Sequence, residues 1–261
     1  MIPKIIHTTW LSDDPVPVPI EECMNTWRLE LPDFEIIVHN YNDVKKYENK
    51  FLRQCISKKM YAFASDYLRF CIINEHGGIY LDGDMLVLQP FPEHLLNHQL
   101  FIGMQNESFI DLAIIGSIKN NPSILPVIAK YKKKEFDYFD PPVLPQFTNE
   151  YFIKLSEEHP SEIKIYEPSV FYPLPAKNKD QLYKDFIKPE SICVHLWNFG
   201  WQDIYSQKNG FKVIIRLLAD FLFNEYSIGF TFNHLKNIIK SGLKNKIRII
   251  SNLVNKSLKN Q

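Results

Sequence analysis

Two aspartates separated by a single glycine, Asp82-Gly83-Asp84, are the residues of this sequence best suited to chemistry. They directly follow the apolar run Ile79–Leu81, which predicts that both carboxylates lie on a tight turn at the carboxyl end of a strand. Carboxylate oxygens are preferred ligands of Mg²⁺ and Mn²⁺, and glycine lets a ligand approach the backbone. A divalent cation there would neutralise charge on a leaving nucleoside diphosphate. A solvated turn is the alternative interpretation.

A second pair of charged residues, Asp66 and Arg69, lies upstream in a pattern that predicts a helix over Met60–Glu75. Residues three apart are neighbours on one helix face. The carboxylate suits sugar hydroxyls, and the guanidinium suits a phosphate oxygen. A surface ion pair that stabilises the fold by only a few tenths of a kcal/mol is the alternative. Residue types alone leave both interpretations open.

The predicted elements around these residues alternate between strands and helices. Helical patterns occur at Met60–Glu75 and Gln146–Glu157, the first closed by Gly77-Gly78. Short apolar or β-branched runs predict strands at Lys4–Ile6, Phe34–His39, Ile79–Leu81, Met85–Leu88, Leu100–Met104, Leu112–Ser117 and Ile192–His195. This alternation indicates an α/β fold on a largely parallel sheet, which binds ligands at the carboxyl ends of its strands.

The composition limits the class of protein. A chain of 261 residues with 45% apolar content can bury a full core. Its 30 basic and 30 acidic residues cancel, so no global charge favours nucleic acid. The four cysteines form no C-x-x-C pair, which disfavours a zinc ribbon or redox motif and favours buried thiols. No secretory leader or membrane span is evident, so we expect a cytoplasmic protein or one peripheral on the inner face of the plasma membrane.

The segments Ala64–Phe70 and Glu75–Asp84, together with the opening Ile2–Trp10, resemble the signature of glycosyltransferase family 32, the sugar-binding-region proteins with a DXD motif. The resemblance implies a GT-A type, Rossmann-like nucleotide-sugar-binding domain over residues 1–210, with a helical extension at the C-terminus. It implies a hexosyltransferase that needs Mn²⁺ or Mg²⁺ and retains the anomeric configuration. The implied donor is a nucleotide sugar, with UDP-hexose preferred, and the implied acceptor is a surface glycan or a lipid-linked sugar.

The resemblance also implies roles for Asp66, Arg69 and the three residues of the Asp82-Gly83-Asp84 turn. Asp66 and Arg69 would bind the donor sugar, with Arg69 also near the diphosphate. Asp82 and Gly83 would contact the ribose and the sugar. Asp84 would coordinate the metal.

Residues near both ends of the predicted domain complete the implied site. Thr8 would contact the substrate, and Trp10 would stack near the nucleobase. In a late element that resembles the family's His…Trp signature, His195 would be the remaining protein ligand of the metal, and Trp201 would close over the diphosphate. A buried, hydrogen-bonded histidine at a strand end is the alternative for His195. For His7 we favour a core or backbone-bonding role.

Residues 211–261 form the second predicted region, which is helical, amphipathic and basic. Beyond Glu225 the sequence contains seven basic residues and no acidic one, interspersed with isoleucine and leucine. A basic amphipathic helix suits an anionic membrane surface. The alternative is a helical cap on the core with a solvated basic face.

Two other classes of function compete with a transferase. A non-catalytic protein that binds carbohydrate or nucleotide sugar could use Trp197, Trp201 and the tyrosines as a stacking surface. A metal-dependent nucleotide-sugar hydrolase or phosphoryl-transfer enzyme could also use paired aspartates. Phosphoryl transfer is disfavoured because the sequence lacks a G-x-x-x-x-G-K-[ST] loop.

Overall fold

A computed structural model describes residues 1–137 and 144–197, without the side chains of residues 145–147. The strands are β1 Ile5–Thr9, β2 Glu35–His39, β3 Gly78–Leu81, β4 Met85–Val87, β5 Leu100–Met104, β6 Ile110–Ser117, β7 Ile163–Tyr166 and β8 Cys193–His195. The α-helices are α1 Val18–Glu30, α2 Tyr41–Val44, α3 Lys50–Ser57, α4 Tyr61–His76, α5 Glu93–Leu96, α6 Leu125–Lys132, α7 Leu144–Glu158 and α8 Pro168–Phe171. Short 3₁₀ turns lie at Lys45–Tyr47, Ala176–Asn178 and Tyr183–Phe186.

These elements belong to one unit, which comprises Met1–Lys134 and Pro142–Trp201. A second unit comprises Glu135–Pro141 and Gln202–Gln261. The domain boundary at residue 210, Trp201 and the basic region 211–261 lie outside the described residues, so these assignments stay predictions. Within the described part, no helix combines the length and the apolar character that crossing a membrane requires.

The main sheet has six strands in the order β2-β1-β3-β6-β5-β7. β1 pairs in parallel with β2 and β3, and β5 pairs in parallel with β7. β6 lies between β3 and β5 and is antiparallel to both. Five of the six strands therefore run in one direction, which confirms the predicted α/β fold with a largely parallel sheet. The carboxyl ends of β1, β3 and β5 meet at one edge.

The turn between α4 and β3 depends on two glycines. Gly77 and Gly78 have φ angles of +70° and +98°, which glycine adopts without strain. A Cβ atom on Gly78 would lie 2.6 Å from the carbonyl oxygen of Ile5. Glycine is required there both for the backbone conformation and for the close approach of β1. The predicted closure of this helix by Gly77-Gly78 is confirmed.

Helix α1 supports the segment that follows β3. The fully buried indole of Trp27 donates a hydrogen bond to the carbonyl oxygen of Met85, at 2.7 Å. Thr26 Oγ1 accepts a hydrogen bond from the backbone N–H of Val87, at 2.9 Å. α1 therefore anchors β4, which in turn pairs with β8 in a two-stranded antiparallel sheet.

Candidate active site

The Asp82-Gly83-Asp84 turn lies at the carboxyl end of β3, as predicted. The N–H of Met85 donates to the carbonyl oxygen of Asp82 at 3.0 Å. The N–H of Asp82 donates to the carbonyl oxygen of Ala113 at 2.8 Å. Only 26% of the Asp82 side chain and 14% of the Asp84 side chain are exposed. The interpretation as a solvated turn is therefore wrong.

Gly83 packs beneath helix α1. A Cβ atom at this position would lie 2.9 Å from a methyl group of Ile20. The structure thus gives Gly83 a packing reason of its own, and its contact with substrate stays a prediction.

Arg69 links three parts of the fold, and its side chain is only 4% exposed. Nη2 lies 2.7 Å from Asp66 Oδ1 on the same helix and 3.2 Å from Asp82 Oδ1 on the turn. Nη1 donates to Asp82 Oδ2 and to the carbonyl oxygen of Leu112 on β6. Nε donates to the carbonyl oxygen of Ser65 at 3.3 Å. The alternative of a surface ion pair for Asp66 and Arg69 is wrong.

The guanidinium of Arg69 thus acts on the protein's own carboxylates. All three of its nitrogens donate to protein acceptors, and its Cζ lies 5.0 Å from the centroid of the Tyr80 ring. Burial raises the pKa of Asp66 to about 7 and that of Asp82 to about 6, although Arg69 opposes both shifts. The structure therefore gives Arg69 the role of holding two carboxylates in place, while its contact with a diphosphate stays a prediction.

His195 ends strand β8 and faces Asp84. β8 pairs with β4 so that His195 is opposite Met85, and the N–H of Leu196 donates to the carbonyl oxygen of Asp84 at 3.1 Å. His195 Nε2 then lies 3.2 Å from Asp84 Oδ1. Burial lowers the pKa of His195, but the Asp84 carboxylate outweighs it and raises the pKa to about 9.

Trp197 fixes the other side of the His195 ring. The two ring centroids are 4.1 Å apart, and the Trp197 N–H donates to the carbonyl oxygen of Leu174 at 2.7 Å. Trp197 is buried and has a φ of +55°, a strained conformation for a bulky residue. The interpretation of Trp197 as an exposed stacking surface for carbohydrate is therefore wrong.

Asp84 and His195 fit two protein positions of a metal site. Both side chains are largely shielded from water. In the part of the chain that the structure describes, no group of three or more His, Cys, Asp or Glu side chains could hold a metal ion. Nδ1 of His195 is buried and has no hydrogen-bond partner among the described residues. Because Mg²⁺ takes about six ligands and often shares them with substrate phosphates, this pair suits a cation that is also bound by a diphosphate.

Asp111 is a further carboxylate of this site that the sequence analysis missed. It lies near the start of β6, where its Oδ1 accepts a hydrogen bond from the N–H of Ala113 at 2.8 Å. Its charge acts on Asp66, Asp82 and His195. β6 begins at Ile110 rather than at the predicted Leu112, and its antiparallel pairing with β3 brings Asp111 to the Asp82-Gly83-Asp84 turn.

The carboxyl end of β1 contributes Thr8 and Trp10 to the same edge of the sheet. The Trp10 side chain is partly exposed, and its N–H donates to the carbonyl oxygen of Asp14 at 2.7 Å, which fixes the plane of the ring. The Thr8 side chain is buried, and its hydroxyl has no partner among the described residues. Stacking of Trp10 on a base and contact of Thr8 with substrate stay predictions.

His7 has the core role that we favoured. Its Nε2 lies 3.0 Å from the carbonyl oxygen of Gly77, and its Nδ1 lies 3.0 Å from His39 Nε2. Burial is the main cause that lowers its pKa to about 4.

Two family models match segments that carry some of these residues, although Thr8, Trp10 and Asp111 lie outside both matches. "Glycosyltransferase sugar-binding region containing DXD motif" matches residues 17–102, which include Asp66, Arg69 and the Asp82-Gly83-Asp84 turn. "Alpha 1,4-glycosyltransferase conserved region" matches residues 125–221, which include His195.

Similar proteins include inositol phosphoceramide mannosyltransferase 3 of Schizosaccharomyces pombe, which is 27% identical over 54% of this chain and 40% of its own length. Lactosylceramide 4-alpha-galactosyltransferase of Mus musculus is 24% identical over 59% of this chain and 46% of its own length. The chain therefore spans less than half the length of these relatives. A solved structure, the PaToxG glycosyltransferase, is similar with a TM-score of 0.46 and 20% identity, over 61% of this chain and 70% of that chain.

Proposed function

We propose that this chain, whose resemblance to glycosyltransferase family 32 is confirmed by the family models and the relatives, is a retaining, divalent-metal-dependent hexosyltransferase. The observation that carries the proposal is the buried cluster in which Arg69 holds Asp66 and Asp82 next to the facing pair of Asp84 and His195. This cluster lies at the edge of the sheet where α/β proteins bind nucleotides.

The proposed donor is a UDP-hexose, and the proposed cation is Mn²⁺ or Mg²⁺. Asp84 and His195 would hold the cation, which neutralises charge on the departing diphosphate when it is bound. Asp66 and Asp82, oriented by Arg69, would accept hydrogen bonds from hydroxyls of the sugar and the ribose. Trp10 would stack on the base.

Retention of configuration follows from attack on the face that the diphosphate leaves. The acceptor oxygen forms the new bond to the anomeric carbon while the bond between that carbon and the phosphate oxygen breaks. The proton of the acceptor hydroxyl passes to the departing phosphate.

The proposed acceptor is a surface glycan or a lipid-linked sugar. The names of two relatives specify ceramide-linked substrates, which favours a glycolipid for this chain by analogy alone.

The test is incubation of the protein with a panel of UDP-, GDP- and ADP-sugars and Mn²⁺, with simple alkyl glycosides as acceptors. Release of nucleoside diphosphate together with a glycoside product of higher mass supports a transferase. Release of nucleoside diphosphate without any such product identifies a hydrolase. Thermal stabilisation by a nucleotide sugar without turnover identifies a binding protein.

A further inference from the structure

The turn between β5 and β6, residues Gln105–Phe109, presents an exposed aromatic ring. Phe109 is 44% exposed. Every other phenylalanine, tyrosine or tryptophan whose side chain the structure describes is buried or only partly exposed. A single exposed apolar side chain means little by itself, so its support and its position decide what it can do.

This turn is held rigidly. Asn106 Oδ1 accepts hydrogen bonds from the N–H groups of Ser108 and Phe109, at 2.9 and 3.1 Å. The carbonyl oxygen of Phe109 accepts a hydrogen bond from the N–H of Gln105 at 2.7 Å. Asn149 on helix α7 accepts from the N–H of Ile110 at 2.8 Å and donates to the carbonyl oxygen of Ser108 at 3.2 Å. The backbone around Phe109 is already ordered by these hydrogen bonds. A ligand that stacks on the ring therefore costs the protein little conformational entropy.

The turn lies at the edge of the sheet that carries the proposed active site. It joins the carboxyl end of β5 to the amino end of β6, and β6 is the neighbour of β3. Phe109 is two residues from Asp111, and β5 is about 10 Å from β3 at the usual strand spacing. A disaccharide spans such a distance.

The strand order separates this turn from the proposed donor side. β1, which is directly followed by Trp10, flanks β3 on one side, whereas β6 and β5 lie on the other. If the donor extends from Trp10 to the Asp82-Gly83-Asp84 turn, the side near Phe109 is left for the acceptor. The exposed polar residues Glu107 and Ser108 would rim that side with groups able to bind hydroxyls.

We propose that the Gln105–Phe109 turn binds the acceptor saccharide, with the Phe109 ring stacked against the apolar face of a sugar. This inference rests on the proposed function. An aromatic ring suits the C–H-rich face of a pyranose in the same way that it suits other apolar partners. Phe109 would thus set the affinity for the acceptor without affecting the donor.

The test compares Phe109→Leu and Phe109→Tyr with wild type in transfer to octyl β-galactoside, octyl β-glucoside and octyl β-lactoside. We expect Phe109→Leu to raise the KM for the best acceptor by roughly fivefold or more, the loss of one aromatic contact. Phe109→Tyr should stay within about twofold of wild type, because the ring is kept. Donor KM and the hydrolysis of donor without acceptor should not change. Leu182→Ala is the control, because Leu182 is also well exposed.

Saturation-transfer NMR with the same glycosides measures binding in the absence of turnover, so it separates this inference from the proposed function. A wild-type protein that binds a glycoside but releases no nucleoside diphosphate contradicts the transferase alone. Equal acceptor KM and equal NMR binding for wild type and Phe109→Leu overturn the inference. The same conclusion follows if Phe109→Leu weakens donor hydrolysis as much as it weakens transfer, or if wild type neither binds nor glycosylates any of the three glycosides.

Discussion

Among the described residues, two basic side chains, Arg69 and His195, contact aspartates of the site. Arg69 contacts Asp66 and Asp82, His195 contacts Asp84, and the charge of Asp111 acts on both groups. Within this described group of six side chains, negative charge exceeds positive charge when all four acids are ionised. Such an excess is expected where a divalent cation and a diphosphate bind together, because each neutralises the other.

At the level of the single residue, Arg69→Lys tests the clamp by which the Arg69 guanidinium holds Asp66, Asp82 and the carbonyl oxygen of Leu112. Lysine keeps the charge but lacks the planar guanidinium, so its ammonium group cannot contact both carboxylates and the carbonyl oxygen at once. We expect kcat/KM for the donor to fall at least about tenfold and the free energy of unfolding to fall by about 1–3 kcal/mol. Steady-state kinetics and urea denaturation measure the two effects. The exposed Arg28, which contacts Glu21 and Asn25, provides the control Arg28→Lys. A fully active Arg69→Lys would remove Arg69 from the donor site.

Asp84→Asn tests the metal. The substitution keeps the shape of the side chain but removes a charged ligand, so we expect turnover to fall by at least about a hundredfold with little change in melting temperature. Excess EDTA should lower the turnover of wild type to the same extent, and added Mn²⁺ should restore its activity. Asp33→Asn, at an exposed aspartate, should leave activity unchanged. Activity of wild type that persists in EDTA would exclude a metal-dependent mechanism.

The buried His7 makes stability depend on pH. Its folded-state pKa of about 4 lies below the ordinary value of 6.5. Between pH 6.5 and pH 4, the histidine is therefore protonated in the unfolded chain but neutral in the folded chain. The stability contribution is therefore full above pH 6.5 and is lost as pH falls toward 4, by up to about 3 kcal/mol. Chemical denaturation of wild type and His7→Gln between pH 7 and 4.5 measures the slope. Equal slopes for the two proteins would contradict this prediction.

At the level of the elements, local patterns predicted the part of the fold that holds the site. The helix pattern, the two glycines, the apolar run and the two aspartates are consecutive in sequence, so α4, β3 and the turn could be located directly. Asp111 could not be placed in this way, because only the pairing of β6 with β3 brings it near the turn. The clamp made by Arg69 was also hidden, since spacing along α4 pairs it with Asp66 but says nothing of Asp82 or Leu112.

The sequence analysis predicted neither helix α1 nor strand β7, and only α1 has a clear signal. The buried residues of α1, which are Ile20, Cys23, Met24 and Trp27, follow helical spacing. β7 is a four-residue segment between polar stretches, too short for its pattern to stand out. What the sequence could not indicate is the function of α1, because the hydrogen bond from Trp27 to Met85 joins positions far apart in the chain.

Trp27→Phe tests that function. The substitution keeps an aromatic ring in the core but removes the N–H that binds the carbonyl oxygen beside Asp84. We expect the free energy of unfolding to fall by about 2 kcal/mol and donor turnover to fall as well, because β4 and the turn lose an anchor. Leu29→Ala, on the exposed face of the same helix, should change neither. Reduced stability with unaltered kcat and KM at a temperature where the variant is folded would limit α1 to a packing role.

At the level of the whole molecule, charge is unevenly distributed along the chain. Seven of the 30 basic residues and none of the 30 acidic residues lie beyond Glu225. The preceding part of the chain therefore carries net negative charge, and an anionic membrane would repel it. We propose that the basic region binds the inner face of the plasma membrane and keeps the protein near a lipid-linked acceptor.

The last prediction is that truncation after Glu225 weakens binding to anionic vesicles more than it weakens turnover of a soluble donor, because basic residues near a membrane each contribute about 1 kcal/mol. Salt screens this attraction, so vesicle binding by the full chain should fall steeply between low and high ionic strength, while donor turnover should not follow it. Co-sedimentation with phosphatidylserine-containing and pure phosphatidylcholine vesicles measures the binding, and circular dichroism shows whether the truncated chain is folded. Indifference of the full chain to anionic vesicles, or unfolding of the truncated chain, would instead identify the region as a structural cap.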